Sequence, residues 1–409
     1  MNLKSCRNCN SKNIIVLFTL GNMTFTGRFP SKISQKIKEG ELNLSMCKSC
    51  KLVQLGNHFD LKYLYGPNYG YRTGINYTMT IHVKKITEYL TEITKLKKKD
   101  AVLDIASNDG TLLNFYKKNV IKFGIDPLVG KYYSYYKKID YKISNFFNYN
   151  LVRKKFKNKF KIITALSVFY DLEKPNYFLK GIEKLLDTDG VAMIEIADLY
   201  SILKKNMFDT ICHEHLEYYS TEVLLKMFKK NNLKLIDIKE NEINGASKQF
   251  YITKNNSNYK INKKKIERIL KKERRLQMNK VQTFYNFKNK IDLIKKKTLN
   301  KLNIIKKQNK SIHGYGASTK GNVLLQYFKI NGKYIDFIAE RNPKKFNHFT
   351  PGTKIKIISE KNSRKLKPDY YFVLPWHFKK EIIKREKNII KKGTSFIFPL
   401  PKFNEVSKN

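Results

Sequence analysis

Several residue types are scarce in this chain of 409 residues, and each scarcity excludes a class of protein. The chain has 19 glycines and 10 prolines, which are too few for a collagen-like repeat. It has no apolar run of about 18 residues, so we expect no transmembrane helix. Its opening residues lack an apolar core followed by a small-residue cleavage site, so we expect no signal peptide and a cytoplasmic location.

Acidic residues are also scarce, since 34 Asp and Glu stand against 82 Lys and Arg and leave a net charge of +48. One explanation of such a balance is binding to nucleic acid. The lysines, however, run from Lys4 to Lys408 among abundant Asn and Ile, which favours a drift in composition with solvated faces. A positive field that captures a phosphorylated substrate is a third explanation. We expect a small-molecule substrate, and neither a nucleic acid nor a membrane as partner.

The chain has enough apolar residues to fold, because 41% are hydrophobic and 13% are aromatic. Its length predicts two or three domains. Short apolar runs at 101–106, 122–126, 161–166 and 190–197 alternate with helical stretches, the first at about 76–97. This alternation predicts an α/β fold with a parallel sheet covered on both faces. We therefore expect a Rossmann-like domain at 66–255, a helical connector at 256–309 and a second Rossmann-like domain at 310–409.

Four of the five cysteines form two CxxC pairs, Cys6 with Cys9 and Cys47 with Cys50. Two such turns can present four thiolates to one tetrahedral zinc ion, and neighbouring Lys and Arg residues favour the thiolate form. Because protein would fill all four positions, we predict a closed structural site in a small zinc-binding domain at 1–65. A redox CxxC pair or unligated buried thiols are the alternatives.

The first strand-turn-helix motif runs from Asp104 to Gly110, with a helix expected from about residue 111. Asp126 ends the next strand, where a carboxylate can accept hydrogen bonds from ribose hydroxyls. Ala106 and Asn108 replace the glycines of a dinucleotide fingerprint, which disfavours a pyrophosphate and favours S-adenosylmethionine. We therefore expect these five residues to bind this cofactor. A nicotinamide or flavin nucleotide, or a purely structural turn, are the alternatives.

The densest group of titratable side chains is His213, Glu214 and His215. Histidine transfers protons near neutral pH, and a neighbouring carboxylate can fix its tautomer. The group lacks the i, i+4 histidine spacing of a zinc hydrolase. Acid–base chemistry is therefore the favoured interpretation, with polar packing or metal binding as alternatives.

A second glycine-rich turn contains Gly314, Gly316, Ser318 and Lys320, and again joins a strand to a helix. Such a turn opens the backbone to an anion at the start of the helix, and its side chains supply donors. It therefore predicts contact with a phosphate or sugar of the substrate, or else a purely structural turn.

Taken in this order, the motifs resemble the three-domain, zinc-containing methyltransferases that add a methyl group to carbon of nucleotide-linked 4-keto deoxysugars. The residues that carry the resemblance span the chain: the four paired cysteines, 71–74, 104–110, 170–172, 212–219, 244–247 and 314–322. The chain departs from the family at Cys212, where a typical member carries tyrosine. The resemblance implies an N-terminal zinc domain, a central S-adenosylmethionine domain and a C-terminal domain that closes over the nucleotide sugar.

The resemblance also implies a catalytic role for His215, with Glu214 beside it. On this basis we expect His215 to remove a proton alpha to a ketone. We expect the resulting enolate oxygen to accept a hydrogen bond from His213 or from a tyrosine, which is Tyr71, Tyr218 or Tyr219. We also expect Tyr218 and Tyr219 to bind substrate. An O- or N-methyltransferase acting on another small molecule, or a noncatalytic basic binding protein, are the alternatives.

Overall fold

The computed structural model describes residues 3–65 and 71–408 and shows the expected α/β architecture with two Rossmann-like sheets. Residues 66–70, which belong to the turn-rich segment before Tyr71, lie outside the described residues. None of the helices in the described ranges combines the length and the apolar composition that a bilayer crossing needs.

The N-terminal domain is built on an antiparallel sheet. Its elements are β1 (Ile14–Thr24), β2 (Glu39–Cys47), β3 (Val53–Leu55) and the short helix α1 (Leu61–Leu64). β1 pairs with β2 and β2 pairs with β3, and the second half of β2 and all of β3 are buried. The two CxxC turns lie at one end of this sheet.

The central domain follows with seven strands in one sheet and a two-residue strand outside it. The helices are α2 (Tyr77–Thr94), α3 (Tyr149–Lys155), α4 (Pro175–Leu185), α5 (Leu199–Lys204) and α6 (Thr221–Lys230). The strands are β4 (Ala101–Ile105), β5 (Ile121–Ile125), β6 (Tyr141–Ile143), β7 (Phe160–Leu166), β8 (Leu186–Ile196), β9 (Glu217–Tyr218), β10 (Leu233–Asn241) and β11 (Ser247–Lys254).

The sheet of this domain has the strand order β10-β11-β8-β7-β4-β5-β6. The five strands from β8 to β6 are parallel, as predicted, but β11 is antiparallel to both of its neighbours. The prediction of a parallel sheet is wrong for this edge, because the short turn between β10 and β11 permits only an antiparallel hairpin.

The helix predicted from about residue 111 is also wrong, since only a 3₁₀ turn forms there, at Leu113–Phe115. The Asp109 carboxylate accepts hydrogen bonds from the backbone N–H and hydroxyl of Thr111 and from the backbone N–H of Gly74. These side-chain bonds compete with the helical ladder. In the described structure the first turn therefore presents no helix N-terminus to a ligand.

The C-terminal part begins with two helices, as the charged segment predicts, and continues as a doubly wound sheet. The helices are α7 (Lys263–Arg275), α8 (Val281–Lys307), α9 (Thr319–Phe328), α10 (Glu360–Lys365), α11 (Lys379–Arg385) and α12 (Lys387–Lys391). The strands are β12 (Ile312–Tyr315), β13 (Phe337–Glu340), β14 (Ile357–Ser359), β15 (Tyr370–Val373), β16 (Ser395–Phe398) and β17 (Asn404–Val406). Their order is β14-β13-β12-β15-β16-β17, parallel except for β17.

A buried ion network attaches α7 to the central domain. The ammonium of Lys248, on β11, lies 3.0 Å from the Asp198 carboxylate and 2.6 Å from that of Glu273 on α7. All three side chains are at most 4% exposed. Burial by itself lowers the pKa of Lys248, but the two carboxylates outweigh burial and raise the pKa overall. Each of these three buried side chains therefore stays charged only while its oppositely charged partners are present.

We expect Lys248→Met to lower the free energy of unfolding by about 3–5 kcal/mol, because two buried carboxylates lose their cation. Lys226→Met is the matched control, since Lys226 forms an exposed pair with Glu222 on a helix surface. That change should cost less than about 0.5 kcal/mol. Urea unfolding of the three proteins measures both values, and equal effects would contradict the role of the network.

Candidate active site and candidate metal centre

The four paired cysteines form one cluster in the N-terminal domain. Their sulfur atoms all lie within 4.8 Å of one another, with Cys6 Sγ 3.5 Å from Cys50 Sγ and Cys9 Sγ 3.6 Å from Cys47 Sγ. A tetrahedral zinc ion with Zn–S bonds of about 2.3 Å requires sulfur separations of about 3.8 Å. The cluster therefore fits zinc, as the two CxxC motifs predict, with four protein ligands and no open position.

Arg7, inside the first CxxC turn, connects this cluster to the central domain. Its guanidinium donates to the backbone oxygens of Leu55 and Asn57 and lies 3.7 Å from the Glu217 carboxylate. Glu217 belongs to β9, which pairs antiparallel with β3 and completes a four-stranded sheet. The metal-binding turn thus fixes the segment that directly follows His215.

A cavity of about 410 Å³ lies where the three parts of the chain meet. One end is lined by the turns after β4 and β5, and the other by the loop before β9 and by the turns after β12 and β15. Ligands of open α/β sheets bind outside the carboxyl ends of the strands, which is where this cavity lies.

At the first end, the cavity is lined by Asp104, Ala106, Asn108 and Asp126, for which the sequence predicts cofactor binding. Ala106 and Asn108 have φ angles of 59° and 51°, so the backbone adopts the left-handed form usual for glycine without glycine being present. Gly110 is not a lining residue, because its Cα faces the side chains of Ile139 and Tyr136. The prediction that Gly110 contacts the cofactor is therefore corrected.

The segment before α2 is fastened to this turn. Asn108 accepts a hydrogen bond from the backbone N–H of Thr73 at 2.9 Å and donates one to the backbone oxygen of Tyr71 at 3.2 Å. Arg72 pairs with Asp109 at 3.1 Å. As a result Tyr71 lines the cavity.

The first end of the cavity is acidic. Burial raises the pKa of Asp104 to about 7 and that of Asp126 to about 6. Asp126 accepts hydrogen bonds from the backbone N–H groups of Asn108 and Leu128 at 2.9 and 2.6 Å. The described lining residues include one Lys or Arg side chain, that of Lys320, which belongs to the C-terminal domain. This end therefore suits a ligand that carries positive charge or donates hydrogen bonds.

At the other end, His215 and Glu214 line the cavity together. His215 Nδ1 lies 2.7 Å from the backbone oxygen of Thr210, and the Tyr170 ring packs against the imidazole with centroids 4.3 Å apart. A carbonyl oxygen only accepts hydrogen bonds, so Nδ1 carries the hydrogen and Nε2 keeps a lone pair. Burial, with the Lys320 ammonium, lowers the pKa of His215 to about 3, so the ring is neutral.

Glu214 is held by the N-terminal domain and by Cys212. The Thr26 hydroxyl donates to its Oε2 at 3.5 Å, and the Cys212 thiol also bonds to the carboxylate. A Cβ atom on Gly27 would lie 2.7 Å from Glu214 Oε1, so only glycine permits this approach. Burial raises the pKa of Glu214.

Three residues expected at the substrate do not reach the cavity. His213 is fully buried between the rings of Phe25 and Phe59 and lies 3.1 Å from the Gly40 oxygen through Nε2. Tyr218 and Tyr219 are also buried, and their hydroxyls donate to backbone oxygens. The predictions for these residues are corrected, because Phe25 and Phe59 enclose His213, the pairing of β9 with β3 holds Tyr218, and Tyr219 packs against Phe169.

The second glycine-rich turn contributes side chains but not its glycines. Ser318, Thr319 and Lys320 line the cavity. Gly314 lies within β12 against Ile338, and Gly316 faces Pro375, so the predicted contacts of these two glycines with substrate are corrected. The Ser318 hydroxyl accepts from the N–H of Gly321 and caps α9. The Lys320 ammonium is buried and donates to the Asn244 oxygen at 2.9 Å, and burial lowers its pKa.

Sequence reasoning gave no site role to Asp171, which entered only within the 170–172 motif, or to His377, and both line the cavity. Asp171 follows β7 and His377 follows β15, the strands directly beside β4 and β12. Since carboxyl ends of neighbouring parallel strands meet at one edge, the residues just after each apolar run were a usable signal.

The zinc cluster makes a direct prediction. Purified protein should hold one zinc ion per chain, and Cys50→Ser should lose it together with several degrees of melting temperature, because metal binding contributes folding energy. Cys212→Ser is the matched control and should keep full zinc content, since Cys212 lies outside the cluster. Metal analysis by mass spectrometry decides this, and zinc-free protein that melts normally would contradict the assignment.

His213 makes a prediction about pH. Burial lowers its pKa in the folded protein to about 4, below the unfolded value of about 6.5. The unfolded chain therefore takes up the proton first, and stability present above pH 6.5 is lost as pH falls toward 4. His213→Phe should lower the free energy of unfolding by about 1 kcal/mol at pH 7, because the hydrogen bond to Gly40 is lost. Between pH 7 and pH 5, the free energy of unfolding of this variant should fall by about 2 kcal/mol less than that of the wild type. Urea unfolding at both pH values measures this, and an unchanged pH dependence would contradict it.

Three sequence families match consecutive parts of the chain. The family described as "Putative zinc binding domain" matches residues 6–65. The family described as "Methyltransferase domain" matches residues 79–238, and "C-methyltransferase C-terminal domain" matches residues 242–401. The C-methyltransferase NovU of Streptomyces niveus is 24% identical over 424 residues, covering 99% of this chain and 97% of NovU.

Two solved structures that are similar to this chain each cover less than half of it. An S-adenosylmethionine-dependent methyltransferase from Clostridium acetobutylicum is 14% identical and has a TM-score of 0.35, covering 42% of this chain and 89% of its own. A Pyrococcus horikoshii protein is 16% identical and has a TM-score of 0.36, covering 48% and 99% respectively. The three matched families, by contrast, follow one another along nearly the whole sequence. The chain therefore belongs to the zinc-containing, three-domain family of S-adenosylmethionine-dependent C-methyltransferases.

Proposed function

We propose that the chain methylates a carbon atom alpha to the ketone of a nucleotide-linked deoxysugar, and that His215 generates the enolate. The observation that carries this proposal is the neutral His215 imidazole with its Nε2 lone pair at the cavity. Its Nδ1–H is fixed on the Thr210 oxygen, so the tautomer is the one that a general base requires.

Asp104, Ala106, Asn108 and Asp126 are proposed to hold the cofactor. When bound, S-adenosylmethionine supplies a methyl group on a positively charged sulfur, which a carbon nucleophile can attack. The two carboxyl groups fit such a ligand, because no described Lys or Arg lines their end of the cavity. A cationic ligand there would lower the raised pKa values of both carboxyls.

The His215 imidazole takes the proton from carbon, and the electron pair of the broken C–H bond moves toward the carbonyl oxygen. Glu214, held by Thr26 and Cys212, lines the same cavity, and its ionised carboxylate would favour the imidazolium that forms. Of the enolate donors expected from sequence, Tyr71 alone lines the cavity and retains that role.

Ser318, Thr319 and Lys320 are proposed to bind the charged part of the substrate. The Lys320 ammonium donates one hydrogen bond among the described residues and has further N–H groups for an anionic oxygen. Lys320 also lowers the pKa of His215. An anion beside Lys320 would offset that effect and make His215 a stronger base, which couples binding to catalysis.

The test is proton exchange without cofactor. In deuterated buffer, wild-type protein should exchange the alpha proton of a thymidine-diphosphate-linked 4-keto-6-deoxysugar, a step that an O- or N-methyltransferase does not perform. His215→Ala should slow exchange and methylation about 10²-fold or more and bind S-adenosylmethionine normally by calorimetry. His58→Ala, in an exposed pair with Glu173, is the control and should keep the wild-type rate. Normal turnover by His215→Ala would refute its role as base.

A further inference from the structure

Asp171 is a buried carboxylic acid that the mechanism above does not use. It ends the 3₁₀ turn Phe169–Asp171 that follows β7, and it lines the cavity with 5% of its surface exposed. Its Oδ2 accepts a hydrogen bond from the Tyr65 hydroxyl at 2.7 Å. Its Oδ1 is buried and has no hydrogen-bond partner among residues 3–65 and 71–408.

The surroundings of Asp171 disfavour a negative charge. Burial raises the pKa of Asp171 well above its usual value, and the nearby Glu214 carboxyl adds to this effect. The other titratable groups that feel its charge are Tyr170, Cys212, Glu217, Tyr218 and Tyr219, none of which is a cation. These surroundings therefore favour the protonated form of the Asp171 carboxyl.

The hydrogen bond from Tyr65 decides which oxygen carries that proton. A neutral carboxyl has one hydroxyl oxygen and one carbonyl oxygen. Since Oδ2 accepts from Tyr65, the proton resides on Oδ1, the oxygen without a partner. An unpaired buried donor is costly, so this O–H is satisfied only when a ligand oxygen reaches it.

Asp171 and His215 are held at the same end of the cavity. The ring of Tyr170, the neighbour of Asp171, packs at a tilt against the His215 ring, and the Tyr170 backbone oxygen accepts from the N–H of Leu216 at 2.7 Å. The two functional side chains are therefore positioned by adjacent residues of paired segments. This end is also where the reacting carbon must lie if His215 removes its proton.

We propose that Asp171 is a further catalytic residue, a neutral acid whose Oδ1–H donates to the carbonyl oxygen of the acceptor and stabilises the enolate. This inference rests on the proposed function. The carbon-bound proton goes to His215 Nε2, the C–H electron pair forms the C=C bond, and the carbonyl π pair goes to oxygen. The Asp171 proton remains shared with that oxygen and returns when the ketone re-forms. Neutral carboxylic acids in apolar sites are known to stabilise enolates in this way.

Two substitutions distinguish whether Asp171 acts as a hydrogen-bond donor or as a charged carboxylate. Asp171→Asn has the same shape and offers an N–H at the Oδ1 position and an oxygen toward Tyr65. It should exchange the alpha proton of the thymidine-diphosphate-linked ketosugar within about 10-fold of the wild-type rate. Asp171→Leu has no donor and should lose about 10²–10³-fold. Both variants should bind S-adenosylmethionine normally by calorimetry.

The protonation state is measured without substrate. An infrared difference spectrum between wild type and Asp171→Asn at pH 7 should contain the carbonyl band of a protonated carboxylic acid. Asp189→Asn removes an exposed carboxylate and is the control that should lack this band. Absence of the band in the first spectrum, or an Asn variant as slow as the Leu variant, would overturn the inference while leaving His215 as base. Failure of wild-type protein to exchange the proton would instead overturn the proposed function, and the inference with it.

Discussion

The pairing of β9 with β3 is the interaction on which the site depends. Only two residue pairs form, Val53 with Tyr218 and Gln54 with Glu217, yet they join the metal-binding domain to the segment that carries His215. Bonds from Leu55 N–H to the Leu216 oxygen and from Leu216 N–H to the Tyr170 oxygen continue the connection to β7. A loop held on both sides in this way keeps its side chains in one geometry, which proton transfer requires. The zinc cluster thus acts at a distance, by fixing the sheet edge to which the loop carrying His215 pairs.

The C-terminal domain is joined to the N-terminal and central domains by side-chain hydrogen bonds around the same cavity. Gln326 on α9 exchanges two hydrogen bonds with the backbone of Thr24, as a neighbouring strand would, and Asn322 donates to the Thr26 oxygen at 2.7 Å. On the other side, the Trp376 indole donates to the buried Asp209 carboxylate at 2.8 Å. These bonds place Lys320 and His377 at the cavity. The cavity is therefore composed by all three domains, and a change in any one of them alters the surroundings of His215.

Much of this arrangement was predictable from local sequence, and the remainder depends on long-range pairing. The paired cysteines, the β4 turn and Asp126 have short-range signatures, and the zinc cluster and both Rossmann-like sheets agree with them. The direction of His213 has no such signature. It is set by Phe25, Phe59 and Gly40, which lie more than 150 positions earlier in the chain. The expected helix after β4 failed because Asp109 bonds to a distant backbone N–H, that of Gly74. In each case a partner remote in sequence decided the outcome.

The contrast between the surface and the cavity explains why net charge is a poor guide to this protein. The chain carries a formal charge of +48, but the described lining of the cavity has one lysine and four carboxyl groups, those of Asp104, Asp126, Asp171 and Glu214. In a buried, low-dielectric site these groups respond to each other and to burial far more than to exposed lysines, which salt screens. The raised pKa values of the carboxyls and the lowered pKa of His215 have the same cause, since burial penalises every charged form. A neutral imidazole and carboxyls with raised pKa values suit the proposed enolate chemistry, because charge then develops mainly along the reaction and meets donors that are already oriented.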